Sequence, residues 1–282
     1  MKKITIDAAD GYPLSAIRKS ALEQAKGTVI ISSATGVKKE FYINFAEFLV
    51  EQGYNIMLFD YRGIGESAPA DMRSSLIYMH EWGTKDMNAV LTYVTKTWGV
   101  HNIIWLGHSI GSQLVGFLEN HQHIRKVISV SAALGYWRYF PQPMRAVVWM
   151  LWHIVSPLIV KVYGYGMMKR IGWGEDLPKN ALLEWRKWCL CDTYYMSFIK
   201  EHFNTDRFYH FKSPIQAVYM SDDYIANDKT APLMMKFFPN ASTEVIKINA
   251  VQYTKEKVGH NGIFRKRFET SLWPVLMKLV SN

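Results

Sequence analysis

The sequence predicts an α/β fold: a mostly parallel sheet of eight strands with helices on both faces, interrupted by an inserted helical cap. Three observations carry that expectation. Short apolar runs alternate with segments of helical periodicity along most of the 282 residues, which is the pattern of a parallel sheet covered on both sides. The run Ile103-Ile104-Trp105-Leu106 leads at once into Gly107-His108-Ser109-Ile110-Gly111, the form of a strand turning sharply into a helix with a serine at the apex. The stretch from 134 to 212 departs from the alternation and holds six of the ten tryptophans.

Residues 3–7 and 13–19 alternate apolar with polar around Asp10-Gly11-Tyr12-Pro13 and read as a starting hairpin. Thr28-Val29-Ile30-Ile31 is the third strand, followed by a helix near 39–52 and the strand Asn55-Ile56-Met57-Leu58-Phe59. A helix near 82–98 precedes the strand 103–106. Next come a helix from Ser109, with Leu114, Phe117 and Leu118 at helical spacing, and the strand 127–130. Segments 214–220 and 244–248 supply the last two strands, and a helix near 262–278 closes the chain. The division is a core over 1–133, the cap over 134–212 and the core again over 213–282. Helical patterning in the cap falls at 144–155 and 180–191. Its 11 Lys/Arg against 6 Asp/Glu place +5 of the net charge of +9 there. The apolar run 146–160 reads as too short for a membrane span and as interrupted by His153 and Pro157.

Composition narrows the function classes. Cys189 and Cys191 are too close in sequence to pair readily, form no C-x-x-C motif and suit a reducing compartment. The N-terminal residues turn polar at once, so the expectation is a cytoplasmic protein. Basic residues are spread along the chain without a long block, which argues against nucleic acid as a partner. A weak peripheral contact of the cap with anionic membrane stays open, as does the oligomeric state. Gly63-Ile64-Gly65-Glu66-Ser67-Ala68 imitates a dinucleotide fingerprint, but Pro69 interrupts the helix that a pyrophosphate needs. His121 and His123 sit among polar neighbours and read as a solvated helix end. No cofactor and no metal are expected.

A serine hydroxyl needs a base to take its proton as it attacks, and the base needs a carboxylate to orient it. For a serine on such a turn the partners follow in the order acid, then histidine. Of nine histidines only His260 lies beyond the seventh strand, between Gly259 and Asn261-Gly262. The acid belongs in the turn after that strand, where Asp222 and Asp223 stand side by side and only one can point at the imidazole; Asp228 is a third candidate. Acyl transfer also needs two donors for the oxyanion. The backbone N–H groups of Ile110 and Val37 are the candidates, with Gly36 admitting close approach of the chain.

On these motifs the chain resembles the α/β-hydrolase superfamily from Ile4 to the final helix, the cap excepted. The carriers are Ala34-Thr35-Gly36-Val37, Asp60-Tyr61-Arg62-Gly63-Ile64-Gly65-Glu66-Ser67, the elbow around Ser109, Asp223 and Gly259-His260. More narrowly it is similar to a group of bacterial hydrolases with a tryptophan-rich cap, through Leu177-Pro178 and Trp185-x-x-Trp188-Cys189. The resemblance implies Asp223 as the acid, since Asp-x-Ile looks like the acid turn of many hydrolases, and leaves Asp222 to cap the turn or the next helix. It implies a serine hydrolase of small-molecule carboxylic esters or thioesters with an apolar acyl or aromatic group, working through an acyl-enzyme. An acyltransferase, an amidase or peptidase, and a non-catalytic ligand-binding homologue are the alternatives. Many members have His-Gly where this chain has Thr35-Gly36; a backbone donor survives that change, and a side-chain role for Thr35 opens.

Overall fold

In a computed structural model, which describes residues 1–203 and 206–282, eight strands form one sheet. They are β1 (Lys2–Asp7), β2 (Pro13–Lys19), β3 (Thr28–Ser32), β4 (Asn55–Phe59), β5 (Ile103–His108), β6 (Ile124–Val130), β7 (Ile215–Met220) and β8 (Thr243–Ile248). Their order across the sheet is β1-β2-β4-β3-β5-β6-β7-β8. β1 and β2 form the antiparallel hairpin, β2 lies antiparallel to β4, and every later pairing is parallel.

The central strands are apolar at consecutive positions because both faces of the sheet are covered. Val29, Ile31, Ile104, Leu106, Ile128 and Val130 pack on one face, under Phe45 and Leu49 of the helix Ile43–Glu51 and under Trp273 and Leu276 of the C-terminal helix. The intervening Ile30, Met57, Trp105 and Val127 pack on the other, under Val90, Leu91 and Leu114. Inside the Asp60–Ser67 loop, Asp60 and Glu66 clamp the buried Lys39 ammonium at 2.6 and 2.8 Å, so these carboxylates serve the turn itself.

Three elements differ from the sequence expectation. The final helix spans Trp273–Ser281 rather than 262–278. Pro274 sets its first turn, and the preceding stretch is broken into the short turns Gly262–Phe264 and Lys266–Phe268. The helix after Ser109 is one α-turn, Ile110–Gln113, tightening into Leu114–Phe117. Between β6 and β7 the helix Met144–Tyr163 runs unbroken for 20 residues through both His153 and Pro157. His153 lies within the helix, and its ring Nδ1 donates to Trp149 O at 2.9 Å. A wider turn over Leu151–Val155 accommodates Pro157. Carbonyls freed there find side-chain donors: Ser156 Oγ to Leu151 O (2.7 Å) and Arg186 Nε to Trp152 O (2.5 Å). The resulting helix is, by length and composition, long enough and apolar enough to cross a membrane, contrary to the expectation that the run is too short.

Hydrogen bonds tie the same insertion to the loops around the sheet, among them these. Glu184, on the helix Lys179–Cys189, accepts from the His80 backbone N–H at 2.9 Å and contacts His80 Nδ1 at 2.8 Å. Glu175 N–H donates to Gly36 O at 2.7 Å.

Candidate active site

Ser109 stands where β5 ends and the next helix begins, with φ +53° and ψ −116°. A side chain in that conformation costs about 1–3 kcal/mol, which the surrounding sheet must hold in place. Its amide donates to Val130 O on the neighbouring strand at 2.8 Å. The glycines two before and two after are sterically required. A Cβ on Gly107 would fall 2.5 Å from Ser112 N, and one on Gly111 would fall 2.2 Å from Ser32 O. The crowding read from the sequence is therefore backbone against backbone, where nothing can yield.

His260 and Asp223 meet from separate loops. Asp223 Oδ2 lies 2.9 Å from His260 Nδ1, while its Oδ1 accepts from the N–H groups of Ile225 (2.8 Å) and Ala226 (3.1 Å). Three donors fix the carboxylate, which is fully buried. With Nδ1 donating to Asp223, Nε2 is left as the basic atom of the ring. Asp222 turns the other way. Its carboxylate accepts from Val258 N–H (2.7 Å) and Gly259 N–H (3.0 Å), bracing the loop that carries His260 rather than capping its own turn or the next helix. Asp228 is drawn off to Tyr219 Oη (2.5 Å) and Lys247 (2.8 Å) at the surface.

Among the described residues no hydrogen bond joins Ser109 Oγ to His260. The two side chains line one cavity of about 360 Å3 with Thr35, Met144, Trp173 and Asn261. A second, more enclosed chamber of about 70 Å3 continues from Ser109 into the insertion, between Phe140, Val148, Trp152, Cys189 and Tyr194. Thr35, Ser109, Trp173, Trp185 and Ile225 border both. The inner lining is mostly apolar; its polar members include Thr35, Ser109, Tyr194, whose Oη donates to the Gln113 amide oxygen at 3.1 Å, and Trp152, whose Nε1–H has no partner among the described residues. Burial raises the Cys189 thiol well above its ordinary value, so it is a packing group and not a competing nucleophile. Both chambers open at the carboxyl end of the parallel strands, where open α/β sheets bind ligands. A recess of about 400 Å3 beside Arg125, Lys126 and Asn282 sits at the opposite strand ends, away from Ser109.

The turn after β3 is closed by Val37 N–H, which donates to Ala34 O at 3.1 Å, and Val37 lines the open cavity with Ser109 and His260. Thr35, two residues earlier, borders Ser109 in both chambers, and its backbone N–H has no acceptor among the described residues. Ile110 N–H, at the first position of the short helix, is likewise unpaired among them. Gly36, at φ +67°, gives its carbonyl to Glu175, so the close approach it admits is that of the insertion.

His108 is the residue that sequence reasoning passed over. Buried at the end of β5, it hydrogen-bonds through Nδ1 to Tyr42 Oη (2.7 Å) and through Nε2 to His260 O (3.0 Å). Tyr42 Oη in turn accepts from Ala34 N–H (3.0 Å). Its only sequence signal was a polar side chain inside an otherwise apolar strand end.

The sequence model of the family described as serine aminopeptidase, S33, matches residues 23–247. No curated protein matches the chain. Among solved structures it is similar to an esterase from Exiguobacterium antarcticum, at 18% identity and TM-score 0.61 with 100% of each chain covered. A monoacylglycerol lipase from Paleococcus ferrophilus aligns at 15% identity and TM-score 0.60, covering 95% of this chain and 98% of that one. A thermophilic esterase from Thermogutta terrifontis aligns at 12% identity and TM-score 0.59, covering 99% and 98%. At these identities the neighbours show the fold, whereas the family match spans most of the sequence. The chain belongs to the S33 serine aminopeptidase family of α/β-hydrolases.

Proposed function

We propose that the chain is a serine hydrolase of carboxylic esters or thioesters carrying an apolar acyl or aromatic group. The observation that carries this reading is Ser109 on its strained turn, lining one cavity with a His260 whose Nδ1 is held by Asp223 at 2.9 Å. In this reading Ser109 Oγ attacks the carbonyl carbon as His260 Nε2 takes its proton. The Ile110 and Thr35 N–H groups stabilise the oxyanion. His260 then returns the proton to the departing alcohol or thiol, and water, deprotonated by the same imidazole, releases the acid from Ser109. The insertion acts as a cap whose apolar inner chamber takes the acyl group, while the larger open cavity takes the leaving group. The hydrogen bond between Ser109 Oγ and His260 Nε2 forms in the substrate complex, where catalytic hydrogen bonds tighten.

The family's description favours a second reading, cleavage of an amide at a free amino terminus. Such a substrate calls for a carboxylate in the pocket, and the described residues lining the two chambers include none. The test is labelling with a fluorophosphonate beside Ser109→Ala and His260→Ala, followed by p-nitrophenyl esters against aminoacyl nitroanilides. Labelling lost in both variants with ester turnover supports the proposal. Turnover of the anilides alone moves the second reading to first place, and a folded wild type that takes no label overturns the serine chemistry.

A further inference from the structure

The helix Met144–Tyr163 has two apolar faces in two different surroundings. One is buried in the protein through Val148, Leu151, Trp152, Ile159 and Val160. The other is bare: Val147, Met150, Ile154, Leu158 and Val162 are 39, 48, 50, 57 and 61% exposed. These five recur at intervals of three, four, four and four residues, so they form a single stripe along the helix. Contiguous apolar surface of this kind marks an interaction site. Trp149, also exposed, adds an aromatic ring beside it.

Charge identifies the partner. The helix contains no Asp or Glu, and its two formal cations, Arg145 and Lys161, are exposed near its two ends. An apolar stripe with basic ends matches an anionic bilayer, where apolar side chains enter the acyl boundary and Arg and Lys stay with the phosphates. Two copies packed stripe to stripe would instead face two cations against each other at each end, with no carboxylate from either helix to pair with them. The helix lies along the surface rather than crossing it, because its inner face is held in the protein and Arg186 fastens the Trp152 carbonyl. Met144, its first residue, also borders the open cavity at Ser109.

We infer that this helix docks the protein flat on an anionic lipid surface, with the cavity opening beside the lipid so that apolar esters enter from the membrane. The route for substrate rests on the ester-hydrolase reading; the docking itself does not.

The experiment is flotation of the full chain with vesicles of phosphatidylcholine, alone and with phosphatidylglycerol added, at low and high salt. Wild type is expected to float with the phosphatidylglycerol vesicles and to release in salt. Arg145→Glu with Lys161→Glu should weaken partitioning by at least about fivefold per residue. Ile154→Glu with Leu158→Glu should weaken it by more than about tenfold. These surface variants should hydrolyse a water-soluble short ester at the wild-type rate. Wild type that stays in solution at low salt, or variants that float like wild type, overturn the inference. So does a dimer, seen by light scattering, that Ile154→Glu with Leu158→Glu dissociates without changing flotation. Fluorophosphonate labelling of each sample reads the serine separately. Flotation without labelling sinks the ester reading alone, and labelling without flotation sinks the docking alone.

Discussion

The Nε2 of His108 donates to the backbone carbonyl of His260 across 3.0 Å, tying the residue before the serine to the residue that faces it. The same imidazole accepts from Tyr42 Oη, and Tyr42 accepts from Ala34 N–H in the turn that carries Thr35. One buried chain of three hydrogen bonds therefore sets the spacing between the turn after β3, the elbow and the His260 loop. Placement errors near 1 Å cost about 10² in rate. His108→Leu should lower kcat by about tenfold to a hundredfold with little change in KM, as expected for lost placement rather than lost binding. His108→Gln, which restores an N–H donor, should recover part of it. A change confined to KM, or equal losses in both variants, would remove this positioning role.

The burial of His108 has a consequence for stability. Desolvation, with His260 close by, lowers its value to about 3 in the folded protein, against about 6.5 when unfolded. Above pH 6.5 neither state binds a proton there, and the full stability is present. Below it the unfolded chain takes up a proton that the native imidazole refuses, so stability falls with pH down to about 3. The slope from this one group is about 1.4 kcal/mol per pH unit. Urea unfolding of wild type and His108→Gln at pH 7, 6, 5 and 4 should show the two curves converging toward acid. Parallel curves would mean that His108 is charged or exposed.

Asp222 and Asp223 differ by one position and act on different partners, and their variants should separate accordingly. Asp223→Asn presents an amide to His260 Nδ1 and leaves the imidazole in the wrong tautomer; by comparison with triad enzymes, kcat should fall by about 10⁴. Asp222→Asn weakens the two hydrogen bonds that brace Val258 and Gly259. It should cost about 1–3 kcal/mol of stability and far less in kcat. Reversed magnitudes in steady-state assays and thermal melts would exchange the two roles.

The sheet was legible because parallel strands buried on both faces are written as unbroken apolar runs, as in Val29-Ile30-Ile31 and Ile103-Ile104-Trp105-Leu106. The elbow was legible because Gly107 and Gly111 abut backbone atoms that no side chain tolerates. What the chain does not encode locally is direction. Which of two adjacent aspartates faces His260 depends on Ile225 and Ala226 capturing Asp223 from one side while the 258–259 loop captures Asp222 from the other. The hydrogen bond from Val37 N–H to Ala34 O is likewise invisible in the sequence, because it exists only once the turn closes. The helix across Pro157 escaped notice because the donors for its loosened carbonyls include Arg186, 34 residues downstream of Trp152.

Val148 gives the most direct probe of substrate shape. It is buried on the helix Met144–Tyr163 and borders the inner chamber, which holds only about 70 Å3. A chamber of that size accepts a short apolar group, and Val148→Phe should fill most of it. Each methylene that a pocket gains or loses changes discrimination by about 1–3 kcal/mol, or about 10–200-fold. With p-nitrophenyl esters of increasing acyl length, wild type should prefer short chains beyond acetate. Val148→Phe should cut kcat/KM for butyrate by at least about tenfold relative to acetate, because acetate barely enters the chamber. The larger cavity beside Met144 and Trp173 is untouched by this change, so varying the alcohol at a fixed acyl group should give the same order in both proteins. If the variant instead alters alcohol preference and leaves acyl length alone, the two chambers have been assigned the wrong way round.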